Sequence, residues 1–341
     1  MSVKVVKNLC LWYEKNARDL PWRRSSDPYR IWLSEIMLQQ TQVATVIPYF
    51  DRFLQEFPSV FDLADAPLES VLRLWAGLGY YSRARNLHRG AQALAVRLRE
   101  GLGFPKTRDE WLEIPGVGPY TAGAICSIAF NLPEPLVDGN VVRVLSRMHA
   151  LETLDSKKSE IWELATRWVR TPGAVPRILN QALMELGARV CRPGQPDCSA
   201  CPVRGFCRGK KDPTRYPPKK KRAASLRVRE SKWILLRRRN RGSEVLLLQN
   251  QKGRWREGLW DFPDSASVKL EKATLLDQFP IRYVVTRHRV EREHSLFRIE
   301  GVRSVGSCPP TGGRWFNLND LPGVPAPVKK VFDRIRQRNF E

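Results

Sequence analysis

The residues whose types and spacing point most directly to chemistry are four cysteines, Cys191, Cys198, Cys201 and Cys207, which follow the pattern C-x6-C-x2-C-x5-C. The chain has seven cysteines, and an odd count with one tight group is a poor basis for a disulfide framework. Short spacers let the chain turn back so that four thiolates can surround one metal centre. Zinc and iron–sulfur clusters both accept four cysteines. The pattern therefore predicts a metal site, and thiolate chemistry alone leaves zinc and iron open.

A carboxyl group in an apolar sequence is the second candidate. Glu35 lies in the run IWLSEIML, residues 31–38. Burial raises the pKa of a carboxyl because water no longer stabilises its charged form, and a general acid that works near neutral pH needs such a shift. A glutamate on a helix ordinarily faces solvent, but the apolar neighbours on both sides argue against that alternative. The sequence therefore predicts a buried acid at Glu35.

A glycine-containing turn is the third candidate. Pro115-Gly116-Val117-Gly118 separates two helical patterns. Glycine allows positive φ and a close approach of the backbone to a ligand. The helix that follows directs its free N–H groups and the positive end of its dipole at an anion. The turn is therefore predicted to bind a phosphate, with an ordinary interhelical turn as the alternative.

Helices position all these groups in the first part of the chain. Up to about residue 190, apolar residues recur at helical spacing between Pro, Gly and Asp breakers. The predicted helical segments are 28–43, 59–76, 83–99, 121–130, 140–150 and 158–170. The cysteine loop follows them, so we expect an all-α domain over 1–211 with the metal loop at 191–207.

The second part of the chain has a different period. A basic, proline-containing stretch comes first and reads as a linker over 212–229. Alternating apolar residues then predict strands at 233–238, 244–249, 281–290 and 295–302, and the amphipathic stretch 327–336 predicts a closing helix. We therefore expect a smaller α+β domain over 230–341.

The charge of the chain indicates a polyanionic partner. Its 58 Lys and Arg residues exceed 35 Asp and Glu residues, giving a formal charge of +23. A surplus of this size favours nucleic acid and salt-dependent binding, although a solubilising surface or a ribosomal type of binder would also be basic. No apolar run reaches the roughly 18 residues that a membrane span needs, and the N-terminus lacks a signal core. We expect a cytoplasmic, nucleoid-associated monomer with no membrane partner.

Several of these stretches resemble one known family. The cysteine spacing resembles the 4Fe-4S loop of the endonuclease III superfamily of helix-hairpin-helix DNA glycosylases, and the turn 115–118 resembles the hairpin of that superfamily that holds a DNA phosphate. The stretches 20–50, 74–88 and 137–147 resemble the catalytic domain of the adenine DNA glycosylases, the MutY family. The resemblance covers about the first 210 residues. It implies a 4Fe-4S cofactor that fixes a basic surface against phosphates, and double-stranded DNA with adenine mispaired with 8-oxoguanine or guanine as the partner.

The resemblance also assigns roles in hydrolysis of the adenine N-glycosidic bond. Glu35 matches the acid that protonates the imidazole ring of adenine, and Asp138 matches the carboxylate that stabilises positive charge on the sugar. Read without the resemblance, Asp138 is a helix N-cap, and both roles can be filled at once. Asn140 and Tyr120 help to hold the water, the aspartate and the sugar. Tyr120 stands where strand-cleaving members have a lysine, so AP lyase activity is expected to be weak or absent.

A base inside a duplex must be flipped out before such groups can reach it. Gln40, Thr41 and Tyr80 match the wedge and stacking residues of the family, and Arg23 matches an active-site arginine. Ordinary helix surface and a buried aromatic are the alternatives for them. Gly116 and Gly118 would hold the phosphate.

The second domain resembles the Nudix-like domain of the family through residues 258–263, GLWDFP. The hydrolase signature of Nudix enzymes is missing, so we expect no pyrophosphatase activity and no Mg²⁺ site. In the family this domain recognises 8-oxoguanine with a Phe-Ser-His loop shortly after a histidine. His288 corresponds to that histidine, and Val290-Glu291-Arg292 occupies the position of the Phe-Ser-His triplet. The alternative is that His294-Ser295 recognises the lesion.

Two other hypotheses remain. One is a glycosylase of the same superfamily with another base specificity, such as thymine or oxidised pyrimidines; Tyr120 and the second domain argue against the endonuclease III version of it. The other is a non-catalytic iron–sulfur protein that senses mismatches. Binding alone requires neither Glu35 nor Asp138, so their presence in matching motifs favours the enzyme.

Overall fold

The computed structural model of the chain describes residues 3–152, 158–218, 224–239, 242–251, 253, 256–268, 270, 272–299 and 313–338. The chain divides into two compact units. The first consists of Met1–Asp65 and Asn86–Lys221, and the second of Ala66–Arg85 and Arg222–Glu341. Among the described residues, no helix combines the length and the apolar character needed to cross a bilayer.

Helices dominate the chain up to residue 190, as their apolar periodicity predicts. In chain order they are α1 (Val3–Asn16), α2 (Pro28–Leu38), α3 (Val43–Glu56), α4 (Val60–Asp65), α5 (Leu68–Trp75), α6 (Ser82–Arg99), α7 (Arg108–Leu112), α8 (Pro119–Ile128), α9 (Gly139–His149), α10 (Lys158–Val169) and α11 (Pro176–Arg189).

Two of the predicted helical segments are interrupted in the structure. The segment 28–43 breaks after Leu38, because Gln40 takes a positive φ of 56° that a right-handed helix does not allow. The segment 59–76 breaks before α5, where Pro67 is the N-cap in an extended conformation. A proline disfavours the helical conformation in the residue before it, so α4 ends there.

The helices that bear the candidate site pack directly on one another in the first unit. Helix α2 packs against α8, and α11 packs against α1, α8 and α9. Gly123 on α8 allows one of these close approaches, because a Cβ at this position would lie 2.0 Å from the Pro135 carbonyl oxygen. The loop that leads into α9, which carries Asp138, therefore lies directly on α8.

The second unit is an α+β unit built on a mixed sheet. Its strands are β1 (Leu226–Arg239), β2 (Gly242–Gln249), β3 (Trp260–Asp261), β4 (Ala273–Val285), β5 (His288–Ile299) and β6 (Gly313–Asn317), and its helix is α12 (Ala326–Gln337). The strand order is β3-β2-β1-β5-β4, with β6 paired to β2. Strands β1 and β5 are parallel, and the other pairs are antiparallel. Helix α12 covers one face with Val328, Val331, Phe332 and Ile335.

The second unit differs from the sequence prediction in three places. The predicted strand 281–290 is two strands, because the chain turns at Thr286, where φ is 52°. Strand β1 begins at Leu226, inside the segment predicted as a linker, of which 219–223 lie outside the described residues. The segment 66–85 groups with the second unit, although the prediction assigned it to the first domain. Of the predicted strand 295–302, residues 300–302 also lie outside the described part.

Candidate active site

A cavity of about 580 Å³ lies in the first unit, bounded by α2, α8, α9 and α11. Seven side chains for which the sequence predicts a function line it together: Arg23, Glu35, Gln40, Thr41, Tyr120, Asp138 and Asn140. They come from four separate stretches of the sequence, at 23, 35–41, 120 and 138–140. The packing of the helices, rather than any local motif, brings them into one site.

Glu35 is buried in the wall of this cavity. Helix α2 starts at Pro28 after the N-cap Asp27, whose side chain accepts a hydrogen bond from the Tyr29 N–H at 2.8 Å. The helix is buried over most of its surface, and Glu35 is only 5% exposed. Desolvation raises the pKa of Glu35 to about 7, and the negative charge of Asp138 adds to the shift. The carboxyl is therefore a proton donor at neutral pH.

Tyr120 holds this carboxyl in place. It lies in the first turn of α8, and its hydroxyl donates a hydrogen bond to Glu35 Oε2. The tyrosine oxygen is also 3.6 Å from Met184 Sδ. Burial and the neighbouring carboxylates raise the pKa of Tyr120 well above its ordinary value, so the phenol keeps its proton. The hydrogen bond partly opposes the shift at Glu35, because it stabilises the ionised carboxylate.

Asp138 fills the N-cap position that its sequence context indicates. Its Oδ1 accepts from the Val141 N–H at 2.7 Å, and its Oδ2 accepts from Asn140 Nδ2 at 2.7 Å. Both oxygens are thus held in fixed directions, and the carboxylate still lines the cavity. The N-cap and a role at the reacting sugar are compatible in this geometry.

Arg143 links this carboxylate to the cysteine loop. Its Nη2 donates to Asn140 Oδ1 at 2.8 Å and to the Gly187 carbonyl at 2.7 Å, and its Nε donates to the Cys191 carbonyl at 2.7 Å. A continuous path of hydrogen bonds therefore runs from Asp138 to Cys191. The sequence analysis missed Arg143, although its position three residues after Asn140 puts both on one face of a helix.

Glu185 is a second functional residue that the sequence analysis missed. It is fully buried on α11 and lines the same cavity. Arg18 Nε lies 2.7 Å from Glu185 Oε1, and Arg23 Nη2 lies 2.8 Å from Oε2. Burial pushes the pKa of Glu185 up, but hydrogen bonds from the two arginines outweigh it and leave the pKa below its usual range. The apolar neighbours Met184 and Leu186, like those of Glu35, were the available signal.

The cavity thus contains two buried carboxyl groups with opposite properties. Burial raises the pKa of Glu35 to about 7, so much of it is protonated near neutral pH, whereas hydrogen bonds from two arginines keep the pKa of Glu185 below its usual range. Separate environments for paired carboxyls are how enzymes divide acid and anion roles at one pH. The site can donate a proton from Glu35 while ionised carboxylates remain in the same cavity.

The glycine turn between α7 and α8 leaves open space beside the start of α8. Gly116 has φ of 83°, and a Cβ there would lie 2.5 Å from Asn86 Cβ, so only glycine fits. Gly118 is the N-cap of α8, and open space lies where its Cβ would be. The first N–H groups of α8 therefore face an accessible position.

Three of the predicted DNA-contact residues lie on exposed or irregular backbone. Gln40 is exposed at the positive-φ break between α2 and α3, with Thr41 next to it. Tyr80, in the second unit, is 41% exposed with φ of 49° and follows Gly79, which also has a positive φ. Tyr80 is therefore not a buried aromatic. Unlike Gln40 and Thr41, it does not line the cavity that contains Glu35.

The predicted lesion-reading triplet is corrected by the structure. Val290 and Arg292 are each 2% exposed within β5, and His294 is 1% exposed in the same strand. Alternation along a strand sends these three side chains into the core, so neither 290–292 nor 294–295 forms an accessible loop. His288 is half-buried at the first residue of β5, beside the turn at Thr286.

The four cysteines of the loop line one small cavity, together with Arg147, Arg204 and Lys210 among others. All four are unpaired and partly buried. Burial raises the pKa of Cys201 to about 11, with a contribution from the charges of the other three thiolates. Within the described part of the chain, no group of three or more His, Cys, Asp or Glu residues is arranged to hold a metal ion.

Arg147 braces this loop from α9. It is 3% exposed and donates to the Arg192 carbonyl at 2.8 Å and to the Tyr216 carbonyl at 3.0 Å. Its Nη1 lies 3.4 Å from Cys191 Sγ, and its own carbonyl accepts from Cys207 Sγ at 3.4 Å. The chemistry of this set, four cysteines that line one cavity with a cationic side chain beside them, fits an anionic thiolate-bound cluster.

Comparison with known proteins gives consistent results. Residues 33–171 match the model of the HhH-GPD superfamily base excision DNA repair proteins. The adenine DNA glycosylase of Homo sapiens is 35% identical over 95% of this chain and 72% of its own length. The adenine DNA glycosylase of Buchnera aphidicola subsp. Baizongia pistaciae is 33% identical over 96% of this chain and 95% of its own.

Solved structures show a similar fold. A thermostable thymine-DNA glycosylase superposes with a TM-score of 0.55 at 30% identity, covering 60% of this chain and 94% of its own. Endonuclease III in a trapped covalent complex with DNA superposes with a TM-score of 0.52 at 24% identity, covering 62% of this chain and 98% of its own. The second likeness concerns the fold alone.

Proposed function

The chain belongs to the adenine DNA glycosylase family of base-excision repair enzymes, and on this premise we propose that it hydrolyses the N-glycosidic bond of adenine mispaired with 8-oxoguanine or guanine. The observation that carries the proposal is the cavity in which a buried Glu35, its pKa raised to about 7, lies with the fixed carboxylate of Asp138. One group can protonate a leaving base, and the other can stabilise the cation that the base leaves behind.

Protonation of adenine is the first step. Adenine leaves poorly as an anion, so the proton on Glu35 is transferred to a nitrogen of its imidazole ring. A pKa of about 7 keeps a substantial fraction of Glu35 protonated at physiological pH. The Tyr120 hydroxyl fixes the orientation of the carboxyl. The bond between the base and the anomeric carbon then breaks, and its electron pair stays with the base.

Stabilisation of the sugar cation is the second step. Asp138 has both oxygens anchored, by the Val141 N–H and by Asn140, and so supplies negative charge in a fixed place. Water adds its oxygen to the anomeric carbon, and the released proton passes to a carboxylate in the cavity. The products are free adenine and an abasic site.

Strand cleavage is not expected to follow. A Schiff base with the opened sugar requires an amine nucleophile, and the position after the hairpin glycines is occupied by Tyr120. Its phenol is bound to Glu35 and keeps its proton. We therefore propose a monofunctional enzyme with little or no AP lyase activity.

Several surfaces of the chain suit a flipped-base mechanism. The Gly116 and Gly118 turn supplies a phosphate position at the start of α8. Gln40 and Thr41 lie at the cavity that would receive the base, where they can fill the gap left in the duplex. Tyr80 offers an exposed ring for stacking.

We propose that Cys191, Cys198, Cys201 and Cys207 hold a 4Fe-4S cluster. The four side chains line one cavity, and four cysteine thiolates are the ligand set that such a cluster takes. When bound, the cluster would cross-link the loop and fix its basic surface. The residues of this chain that act around it are Arg147, which braces the loop, and Arg143, which connects it to Asn140.

For the second unit we propose a Nudix-like domain that recognises the base opposite adenine. The support is the mixed sheet with α12 on one face, and an exposed turn between β4 and β5 beside His288. Catalysis is assigned to residues 1–211 and lesion recognition to 230–341, with 212–229 between them. The protein would act as a monomer where its DNA substrate lies, at the nucleoid in the cytoplasm.

The test is a single-turnover assay on four labelled duplexes that carry adenine opposite 8-oxoguanine, guanine, cytosine or thymine, each with and without alkali. Alkali-dependent breaks at adenine, fastest opposite 8-oxoguanine, are expected. Breaks without alkali would overturn the monofunctional assignment. Equal rates opposite guanine and 8-oxoguanine would remove the lesion-reading role from the second unit. Tight binding without release of adenine from any duplex would leave a mismatch sensor instead of an enzyme.

A further inference from the structure

Four arginines share the solvent face of three neighbouring strands in the second unit. Arg227 and Arg229 lie on β1, Arg289 on β5 and Arg282 on β4. The parallel register places Arg227 directly beside Arg289, and Arg229 beside Glu291, which in turn pairs with Arg282. Side chains two residues apart point the same way, so all four belong to one face, here called the arginine face. They line a concavity of about 500 Å³.

Positive charge on this face exceeds its negative charge. Glu291 is the one carboxylate that lines the concavity within the described residues. It lies 2.7 Å from Arg282 Nη2 and 3.9 Å from Arg229 Nε, and both arginine side chains are largely exposed, so these pairs hold them only weakly. In the described part of the chain, no ion pair joins Arg227 or Arg289 to a carboxylate.

The opposite face of the same strands is arranged differently. There, Arg292 is 2% exposed and pairs with Glu230 at 2.6 Å and with Asp261 at 2.8 Å. On the arginine face, by contrast, Arg227 and Arg289 stand side by side, and like charges on neighbouring strands destabilise a sheet. That pairing does not stabilise the fold. An anion bound between the two guanidinium groups would offset their mutual repulsion.

We propose that the arginine face binds the phosphate backbone of duplex DNA that flanks the mispair. Guanidinium groups bind phosphate oxygens in pairs, and their spacing of about 4.8 Å between strands and about 6.7 Å along a strand suits a row of phosphates. The identity of the polyanion as DNA rests on the proposed function. The surface reads no sequence and serves to orient the second unit.

The position of the face supports DNA as the occupant. Tyr283 and Val284 line both the arginine concavity and a second cavity of about 470 Å³, which Tyr80 and Thr286 also line. The arginine face is therefore continuous, around the hairpin of β4 and β5, with the surface that presents the exposed Tyr80. A strand stacked on Tyr80 would have its backbone directed toward these arginines.

The test measures the dependence of duplex affinity on salt, from about 50 to 200 mM, for the wild type and the double variant Arg227→Gln, Arg289→Gln. Each phosphate contact contributes about 0.9 to the slope of log K against log salt, so the double variant should lose about 1 to 2 units of slope. The control is Arg238→Gln, Arg239→Gln, which removes two exposed arginines from the other end of β1 and should lose less. The difference should vanish on duplexes shortened on the side that the face contacts.

A second variant tests the opposite direction. Glu291→Gln removes the carboxylate between Arg229 and Arg282 and should tighten binding of long duplexes and steepen the salt dependence. Equal slopes for the test and control double variants, or a difference that persists on shortened duplexes, would overturn the proposal and leave the face to another polyanion, such as an acidic protein segment. Adenine release is measured on the same duplexes. A reduced salt slope in the double variant, with no adenine release by the wild type, would refute the proposed function and support DNA binding by the arginine face. Adenine release by the wild type, with equal salt slopes for all variants, would support the proposed function and refute DNA binding by the arginine face.

Discussion

Replacing Tyr120 with phenylalanine isolates the strongest polar contact of the candidate acid. The Tyr120 hydroxyl donates to Glu35 Oε2, and this bond stabilises the ionised form of the carboxyl. Burial raises the pKa of Glu35 to about 7 even with the bond present. Without it, the anion loses a donor at a carboxyl that is only 5% exposed. The pKa of Glu35 should therefore rise further in Tyr120→Phe.

The size of the shift follows from the strength of the bond. A hydrogen bond to a charged group contributes about 1.5–3 kcal/mol, and one pKa unit corresponds to about 1.4 kcal/mol. Tyr120→Phe should therefore raise the pKa of Glu35 by about one to two units. Because the acid form is the active one, activity is present below the pKa and is lost as pH rises through it. The basic limb of the rate profile should thus move up by the same amount, while the plateau falls because the carboxyl is less well oriented.

The assay is single-turnover release of adenine from a mispaired duplex between about pH 5 and pH 10, the range over which the shifted carboxyl titrates. Tyr29→Phe is the matched control. Tyr29 lies on the same helix and is buried, but its hydroxyl donates to the Phe57 carbonyl at 2.9 Å and not to Glu35. This variant should lose some stability and keep the basic limb of the wild type.

Two results would refute the reasoning. An unchanged basic limb in Tyr120→Phe would mean that the limb does not report Glu35. A limb that moves down would mean that the tyrosine stabilises the neutral carboxyl, contrary to the direction in which its hydrogen bond acts here.

Three further predictions concern the groups around this acid. Asp138→Asn keeps an N-cap acceptor for the Val141 N–H but removes the charge, so single-turnover release should fall by about 100-fold or more while the melting temperature changes little. Arg143→Gln removes the hydrogen bonds to Asn140 and to the Cys191 carbonyl. It should lower thermal stability, speed the loss of visible absorbance from the proposed cluster, and slow adenine release. Gly116→Ala forces a Cβ to 2.5 Å from Asn86 Cβ and should weaken binding of matched and mispaired DNA alike in a titration, more than Gly118→Ala does.

Local patterns accounted for much of the first unit. The helical period gave the positions of most helices, because each buries one stripe of side chains and so leaves a repeat in the sequence. The apolar run around Glu35 indicated its burial for the same reason. The roles of Asp138, Asn140 and Tyr120 came from family resemblance, since no local property of these residues indicates a sugar or a base.

Contacts between distant residues were beyond sequence reasoning. Glu185 is stabilised by Arg18 and Arg23, more than 160 positions away, and periodicity shows that a face is buried without showing its partner. The predicted linker extends into the start of β1 because the basic, proline-containing stretch before it obscures the alternation of Leu226, Arg227, Val228 and Arg229. The prediction of a loop at 290–292 is wrong. The register of β4 and β5 puts the turn at Thr286, before His288, so residues 290–292 lie inside β5.

The central claim, that Glu35 protonates the leaving adenine, is tested most directly by Glu35→Gln on a duplex with adenine opposite 8-oxoguanine. Glutamine has nearly the same shape and can still accept the Tyr120 hydrogen bond, but it has no proton to transfer as an acid. The variant should bind the duplex nearly as tightly as the wild type, and its single-turnover rate of adenine release should fall by about 100- to 10,000-fold. Release at the wild-type rate, with binding intact, would contradict the account.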